Sequence, residues 1–156
     1  MSRVQLALNV ANLDEAIGFY SKLFATGPAK VRPGYTNFAV AEPPLKLVLI
    51  EDAAQVPGSL NHLGIEVETT EEVAAAQVRL AEADLVTAVE AQVACCYAVQ
   101  DKVWVDGPGG EPWEIYTVLA DSETPAGGTR SVDPSGAACC AGRPDLAVAS
   151  PTSSCC

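Results

Sequence analysis

A single histidine, His62, and six cysteines in three adjacent pairs, Cys95–Cys96, Cys139–Cys140 and Cys155–Cys156, are the residues of this chain best suited to hold a metal or a soft ligand. One histidine excludes every site that needs two from a single chain. Adjacent cysteines can close a disulfide only through a strained ring, and the bridges of small secreted domains link distant segments instead. In a reducing compartment such pairs stay thiols. Two thiols side by side can grip one soft, thiophilic atom. A chance pair of small buried residues is the plain alternative for any one of them, and three pairs make it the weaker one.

The segments around these residues suggest how they are positioned. QLALNV (5–10) resembles HLGIEV (62–67) at an offset of 57, and the same offset places Asp14–Glu15 on Glu71–Glu72 and Leu23 on Leu80. Both copies read as a strand followed by a helix. Alternation puts Leu6, Leu8 and Val10 on one face and Gln5, Ala7 and Asn9 on the other; in the second copy Leu63, Ile65 and Val67 oppose His62, Gly64 and Glu66. Asn12 is the expected N-cap of the first helix, with Glu15 at the capping-box position ahead of Ala16, Ile17, Phe19, Tyr20, Leu23 and Phe24; Thr69 or Thr70 caps the second. Further strands are expected near 36–41 and 45–50, then near 86–94, 98–105 and 113–119. PLKLVLI (44–50) matches PWEIYTV (112–118) at an offset of 68, so the second half has gained 11 residues between Leu80 and Pro112. Cys95–Cys96 fall in that interval and are expected on an inserted loop above the scaffold.

Gln5 and His62 are equivalent in the repeat, and each opens the small, polar face of its strand. Glu114 begins a strand with Tyr116 and Val118 on its own face. One imidazole, one carboxylate and one amide oxygen make a facial set that leaves coordination positions open, as in the two-His, one-carboxylate oxygenases. The repeat partner of Glu114 is Lys46, a poor ligand, so the fourth position symmetry would supply is missing. The alternatives remain for each residue: a hydrogen-bonded core histidine, a solvent-facing glutamine, an acid on the exposed side of an edge strand. Asp106-Gly107-Pro108-Gly109-Gly110 reads as a turn, since it lacks the Lys and Ser/Thr of a phosphate loop.

The chain has 156 residues and 9 basic against 20 acidic side chains, a net charge of −11. That balance excludes general attraction to nucleic acid or to an anionic membrane. With 49 % hydrophobic residues it can bury a core, but no run of about 18 apolar residues exists for a transmembrane helix. MSRVQLALNV lacks the apolar stretch of a secretory signal, and a cytoplasmic protein is expected. Residues 121–156 are rich in Gly, Pro, Ser and Thr, with Val132, Leu146 and Val148 as the strong hydrophobes. They are expected to form a disordered, cysteine-bearing tail. Residues 1–120 then hold the folded domain, with module 1 at about 1–52 and module 2 at about 60–120.

The two-copy pattern, His62 at the head of the second copy, and DGPGGEPWEIY (106–116) resemble the vicinal oxygen chelate superfamily. SRVQLALNV, GYTNFAVAEPPLKLVLIE (34–51), NHLGIEVE (61–68), the CCYAVQDKVWVDGPGGEPWEIYTVLADSET run (95–124) and the tail cysteines are similar to its carbon–arsenic lyase family, which includes proteins first described as cadmium-inducible. The resemblance implies an α+β fold of two βαβββ modules curved around a metal cleft. It implies an Fe(II)-dependent, dioxygen-using enzyme that cleaves the carbon–arsenic bond of trivalent organoarsenicals such as methylarsonite, releasing arsenite for detoxification. Gln5, His62 and Glu114 carry over as iron ligands, and Cys95 and Cys96 as the arsenic-binding pair. Most of the superfamily has His where this chain has Gln5. Tyr97 and Val99 would gate the loop, with ordinary packing as the alternative. Lys102 would neutralise a polar substituent, with a solvated strand lysine as the alternative. Two competing functions stay open on the same residues. One is a glyoxalase-like isomerase or thiol transferase using Zn, Ni or Mn. The other is a protein that sequesters cadmium or arsenite.

Overall fold

Alternating apolar residues, two capped helices and turn-rich connections build two βαβββ halves. The first comprises β1 (Arg3–Val10), α1 (Leu13–Leu23), β2 (Lys30–Arg32), β3 (Tyr35–Val40) and β4 (Leu45–Glu51). The second comprises β5 (Leu60–Glu66), α2 (Thr70–Glu82), β6 (Thr87–Cys95), β7 (Ala98–Asp106) and β8 (Pro112–Asp121). This computed structural model describes residues 2–95 and 97–123, so the tail cysteine pairs and Cys96 lie outside the described residues. No helix among the described residues is long and apolar enough to cross a membrane.

All eight strands join one sheet in the order β2-β3-β4-β1-β5-β8-β7-β6. Each half contributes a parallel pair, β1 with β4 and β5 with β8, and the halves meet along the antiparallel β1–β5 seam. The helices cover one face. Leu13 of α1 is buried with Phe38, Val40, Leu47 and Leu49, and Leu6, Leu8 and Val10 pack against that cluster. Val73, Ala76 and Leu80 of α2 pack with Val103 and Ile115. Phe19 and Leu23 stay exposed, turned away from the sheet, although both fall in the apolar pattern of α1.

The caps form as their sequences require. Asn12 accepts from the Glu15 backbone N–H, and Thr69 with Glu72 forms a reciprocal capping box. β2 is a three-residue strand that alternation does not reveal, because it is too short to show a period.

The sheet curls until its far ends meet. Lys30 on β2 pairs with Asp121 at the end of β8 and donates to the Tyr97 carbonyl at 3.3 Å. The Tyr97 hydroxyl donates to the Pro33 carbonyl at 3.3 Å, and its ring sits 5.9 Å from that of Tyr35. These contacts clasp the β6–β7 hairpin against the first half and leave Gln5, Ala7 and Asn9 buried on the face opposite the helices.

Candidate metal centre and cysteine hairpin

The register of the central strands brings Gln5, His62 and Glu114 together. Gln5 pairs with Gly64 across the seam, and Gly64 pairs with Glu114, so Gln5 and Glu114 flank a strand position without a side chain. A Cβ on Gly64 would stand 3.1 Å from Gln5 Cβ and 3.2 Å from Glu114 Cγ, so glycine permits the close approach. His62 pairs with Ala7, one small residue along the same face. Gln5, His62 and Glu114 are 4, 7 and 3 % exposed.

Gln5 Nε2 lies 2.7 Å from Glu114 Oε1 and 2.9 Å from His62 Nε2, and the latter two atoms are 3.3 Å apart. A buried imidazole nitrogen and a carboxylate oxygen thus converge on one point, bridged by the Gln5 amide. That donor set fits a divalent cation, with the amide turned so that Oε1 rather than Nε2 faces the ion. Among the described residues no group of three or more His, Cys, Asp and Glu could hold a metal, and the Gln5 amide is the further donor beside His62 and Glu114.

The side chains around the three are themselves ordered. Lys102 Nζ donates to Glu114 Oε2 at 2.9 Å. Burial acts to raise the Glu114 pKa, but the adjacent Lys102 ammonium overcomes it and holds the carboxyl well below the usual range. Lys102 shifts the other way: burial opposes its charge, and Glu114 nonetheless raises it. Lys102 is therefore a buried partner of Glu114 and not the solvated strand lysine that is the usual reading of such a position. Glu114 likewise is not on an edge, because β8 lies between β5 and β7.

On the other side Gln5 Oε1 accepts from the Tyr116 hydroxyl at 2.5 Å, and that hydroxyl also lies 3.0 Å from Lys46 Nζ and 2.9 Å from Glu66 Oε2. Lys46, at the position symmetry would give a fourth ligand, is bound to Glu66 at 3.1 Å instead. The lengths of β6 and β7 account for nine of the 11 gained residues: nine residues each, against three and six in β2 and β3.

Cys95 is thus not on an inserted loop. It ends β6 and pairs with Ala98. It packs against the cluster of Ala7, Tyr35, Val48, Ile50 and Tyr97 on the face that carries Gln5. Beside it, burial pushes the Tyr35 hydroxyl up to about 12. Tyr97 is buried in the turn with φ +63°, a left-handed conformation unusual for a tyrosine. Val99, expected to gate the loop with Tyr97, and Lys102, expected to neutralise a substituent, both lie within β7.

The structure adds residues whose types gave no signal. Trp104 sets its ring edge-on to His62 at 5.6 Å. Tyr35 joins Tyr97 in walling the cluster beside Cys95, and Gln100 carries a buried Oε1 without a hydrogen-bond partner among the described residues. Gln100 lies on the same face of β7 as Lys102, so alternation could have found it once the strand was placed.

Residues 3–115 match the Glyoxalase/Bleomycin resistance protein/Dioxygenase superfamily. A protein of Thermomonospora curvata named trivalent organoarsenical cleaving enzyme is 66 % identical over 80 % of this chain and 82 % of its own length. The cadmium-induced protein CadI of Mycobacterium tuberculosis is 59 % identical over 92 % of this chain and 95 % of its own. Among solved structures, an extradiol ring-cleaving dioxygenase of B. fuscum superposes with a TM-score of 0.55 at 20 % identity, covering 78 % of this chain and 34 % of that one. A Mn(II)-bound glyoxalase of Novosphingobium aromaticivorans gives 0.56 at 16 % identity, over 86 % and 44 %. The chain therefore belongs to the glyoxalase/bleomycin resistance protein/dioxygenase superfamily, alongside relatives named for organoarsenical cleavage and for cadmium induction.

Proposed function

We propose that this protein is a cytoplasmic, Fe(II)-dependent, dioxygen-using enzyme that cleaves the carbon–arsenic bond of trivalent organoarsenicals to release arsenite. The observation that supports it most is one curved face bearing both the buried Gln5, His62 and Glu114 set and, at its rim, Cys95 with Cys96 next in sequence. The identity to a relative named for this activity supports the substrate class.

A trivalent arsenical with one organic group has two exchangeable hydroxyls. The Cys95 and Cys96 thiols displace both, each As–S bond replacing an As–O bond with the thiol proton leaving in a water molecule, and the organic group stays as the third substituent on arsenic. Ala7, Tyr35, Val48 and Ile50, which pack around Cys95, offer an apolar wall to that group and exclude water. Gln5, His62 and Glu114 would hold the iron, with Lys102 keeping Glu114 ionised for it. Iron(II), when bound, supplies the dioxygen-activating redox chemistry. The chain's own contribution is placement: a small displacement from productive geometry costs roughly 100-fold in rate.

The test is anaerobic Fe(II) loading, addition of methylarsonite, then air, with arsenite release and oxygen consumption followed together. Stoichiometric oxygen uptake with arsenite release is expected. An isomerase would turn over its substrate with neither oxygen nor arsenic, and a sequestering protein would bind the arsenical without consuming oxygen. Cys95→Ser or Cys96→Ser should abolish release with Fe(II) still bound. Replacing Cys139, Cys140, Cys155 and Cys156 together should leave turnover largely unchanged. The reverse pattern would remove the hairpin pair from the substrate site.

A further inference from the structure

Asn61 and His62 are consecutive residues of one strand, so a regular pleat would send their side chains to opposite faces. Their side chains nonetheless meet, with Asn61 Oδ1 2.7 Å from His62 Nδ1. The cause is a bulge. Ala7 pairs with His62, but its neighbour Leu8 pairs with Leu60, so Asn61 is the extra residue on β5. A bulge re-aims the side chain it carries.

What Asn61 offers His62 depends on the groups behind it. Asn61 Nδ2 donates to Asn9 Oδ1 at 2.9 Å, and Asn9 Nδ2 donates to Ser59 Oγ at 2.9 Å. Asn9 is 2 % exposed and held through its backbone as well: its N–H donates to the Ser59 carbonyl at 3.0 Å, and its carbonyl accepts from Gly58 N–H at 2.7 Å. With each amide nitrogen committed toward Ser59, each amide oxygen faces His62. The last oxygen can only accept, so Nδ1 has to carry the imidazole proton. Nε2 is then left with its lone pair, which accepts from Gln5 Nε2 at 2.9 Å, while Glu114 Oε1 stands 3.3 Å away on the same side. The Gln5 contacts agree with this. Its Oε1 accepts from Tyr116, so its Nε2 is the atom facing His62, and it needs an acceptor there.

We infer that Asn61, placed by the bulge and oriented by Asn9 and Ser59, is a positioning residue that holds His62 as the Nδ1–H tautomer and so presents a bare Nε2 to the metal site. The metal side of this inference rests on the function proposed above; the tautomer does not. Free neutral imidazole favours the other tautomer, so the arrangement needs the acceptor. If all three side chains were reversed, Asn61 would donate to Nδ1 and Nε2 would carry the proton, which makes the direction of the chain measurable.

His62 is the one histidine of the sequence, so 15N-histidine labelling of the full chain yields a single ring spin system. Long-range 1H–15N spectra of the metal-free protein at about pH 8, where an ordinary imidazole is neutral, report which nitrogen bears the proton. We expect Nδ1–H in the native chain and in Asn61→Asp, whose side chain can only accept. Asn61→Leu should shift the ring toward Nε2–H and weaken Fe(II) binding, titrated anaerobically, by about 10–100-fold. Asn61→Asp should bind Fe(II) more tightly than Asn61→Leu. Nε2–H in the native chain, or Nδ1–H with native Fe(II) affinity in Asn61→Leu, would overturn the assignment. A native chain that carries Nδ1–H but binds no Fe(II) would leave the tautomer standing and sink the iron enzyme.

Discussion

Gly64 and Lys102 govern how close Gln5, His62 and Glu114 stand and how Glu114 is charged. A methyl group at Gly64 must push against Gln5 Cβ at 3.1 Å, which the backbone fixes, and against Glu114 Cγ at 3.2 Å, whose buried carboxylate is held by Lys102. Gly64→Ala should therefore spread the donors and lower Fe(II) affinity while the protein still melts cooperatively; calorimetric Fe(II) titration beside a thermal melt checks both. Lys102→Met leaves the Glu114 carboxylate buried without its cation, and breaking such a pair costs about 3–5 kcal/mol. The metal-free variant should melt well below the native chain, and saturating Fe(II) should restore part of the loss, since the ion replaces the missing charge. An unchanged melt would mean that Glu114 is neutral in the folded protein.

At the scale of elements, the turn end of the β6–β7 hairpin is tied to the first half by a few contacts. Tyr97 keeps its left-handed backbone because its ring is packed on Tyr35, lies 5.9 Å from the Arg32 guanidinium, and its carbonyl accepts from Lys30. Tyr97→Gly removes the ring but suits the turn, because glycine adopts φ > 0 without cost. Its expected outcome is faster amide hydrogen exchange in residues 93–100 with little change in global stability, together with slower arsenite release. Exchange at the native rate would show that the hairpin is held by its strand pairing alone. The helix caps give a contrasting case. Thr69→Ala should cost about 1 kcal/mol and lower the melting temperature without touching Fe(II) affinity, because α2 packs on the face away from Gln5.

Across the whole molecule, the seam between the halves is tied by charge. Glu66 on β5 is bound to Lys46 on β4 and to Arg3 on β1. Burial would raise the pKa of Glu66, but Lys46 and Arg3 pull it below its ordinary 4.5. A carboxyl depressed in the folded state stabilises fully above its unfolded pKa, and that stabilisation is lost as pH falls through the lower folded value. Acid unfolding monitored by circular dichroism should thus show a stability that declines below about pH 4.5. Glu66→Gln should be less stable at neutral pH and show a shallower decline. Equal slopes in the two proteins would rule out this pair as the acid-sensitive tie. Truncation after Glu123 should leave a cooperative fold, because the sheet and both helices are complete by Asp121.

Strand alternation and the 57-residue repeat are local properties of the chain, and they were enough to place Gln5 and His62 on polar faces and both caps at their helices. Period two is enforced by the pleat of a single strand, so it survives without knowledge of neighbours. The same rule hid Asn61, because it assigned consecutive residues to opposite faces and a bulge exists only in relation to a partner strand. The burial of Lys102 was equally illegible, since its charge read as solvated until the sheet placed Glu114 beside it, and nothing local paired Lys46 with Glu66. The 11 extra residues were visible in the sequence, but nothing local could tell a loop from a longer hairpin, since that depends on which residues pair across it. Composition and spacing thus determined which residues could do chemistry. Register, bulge and curl, which arise only when distant strands pair, decided which of them meet and in what state.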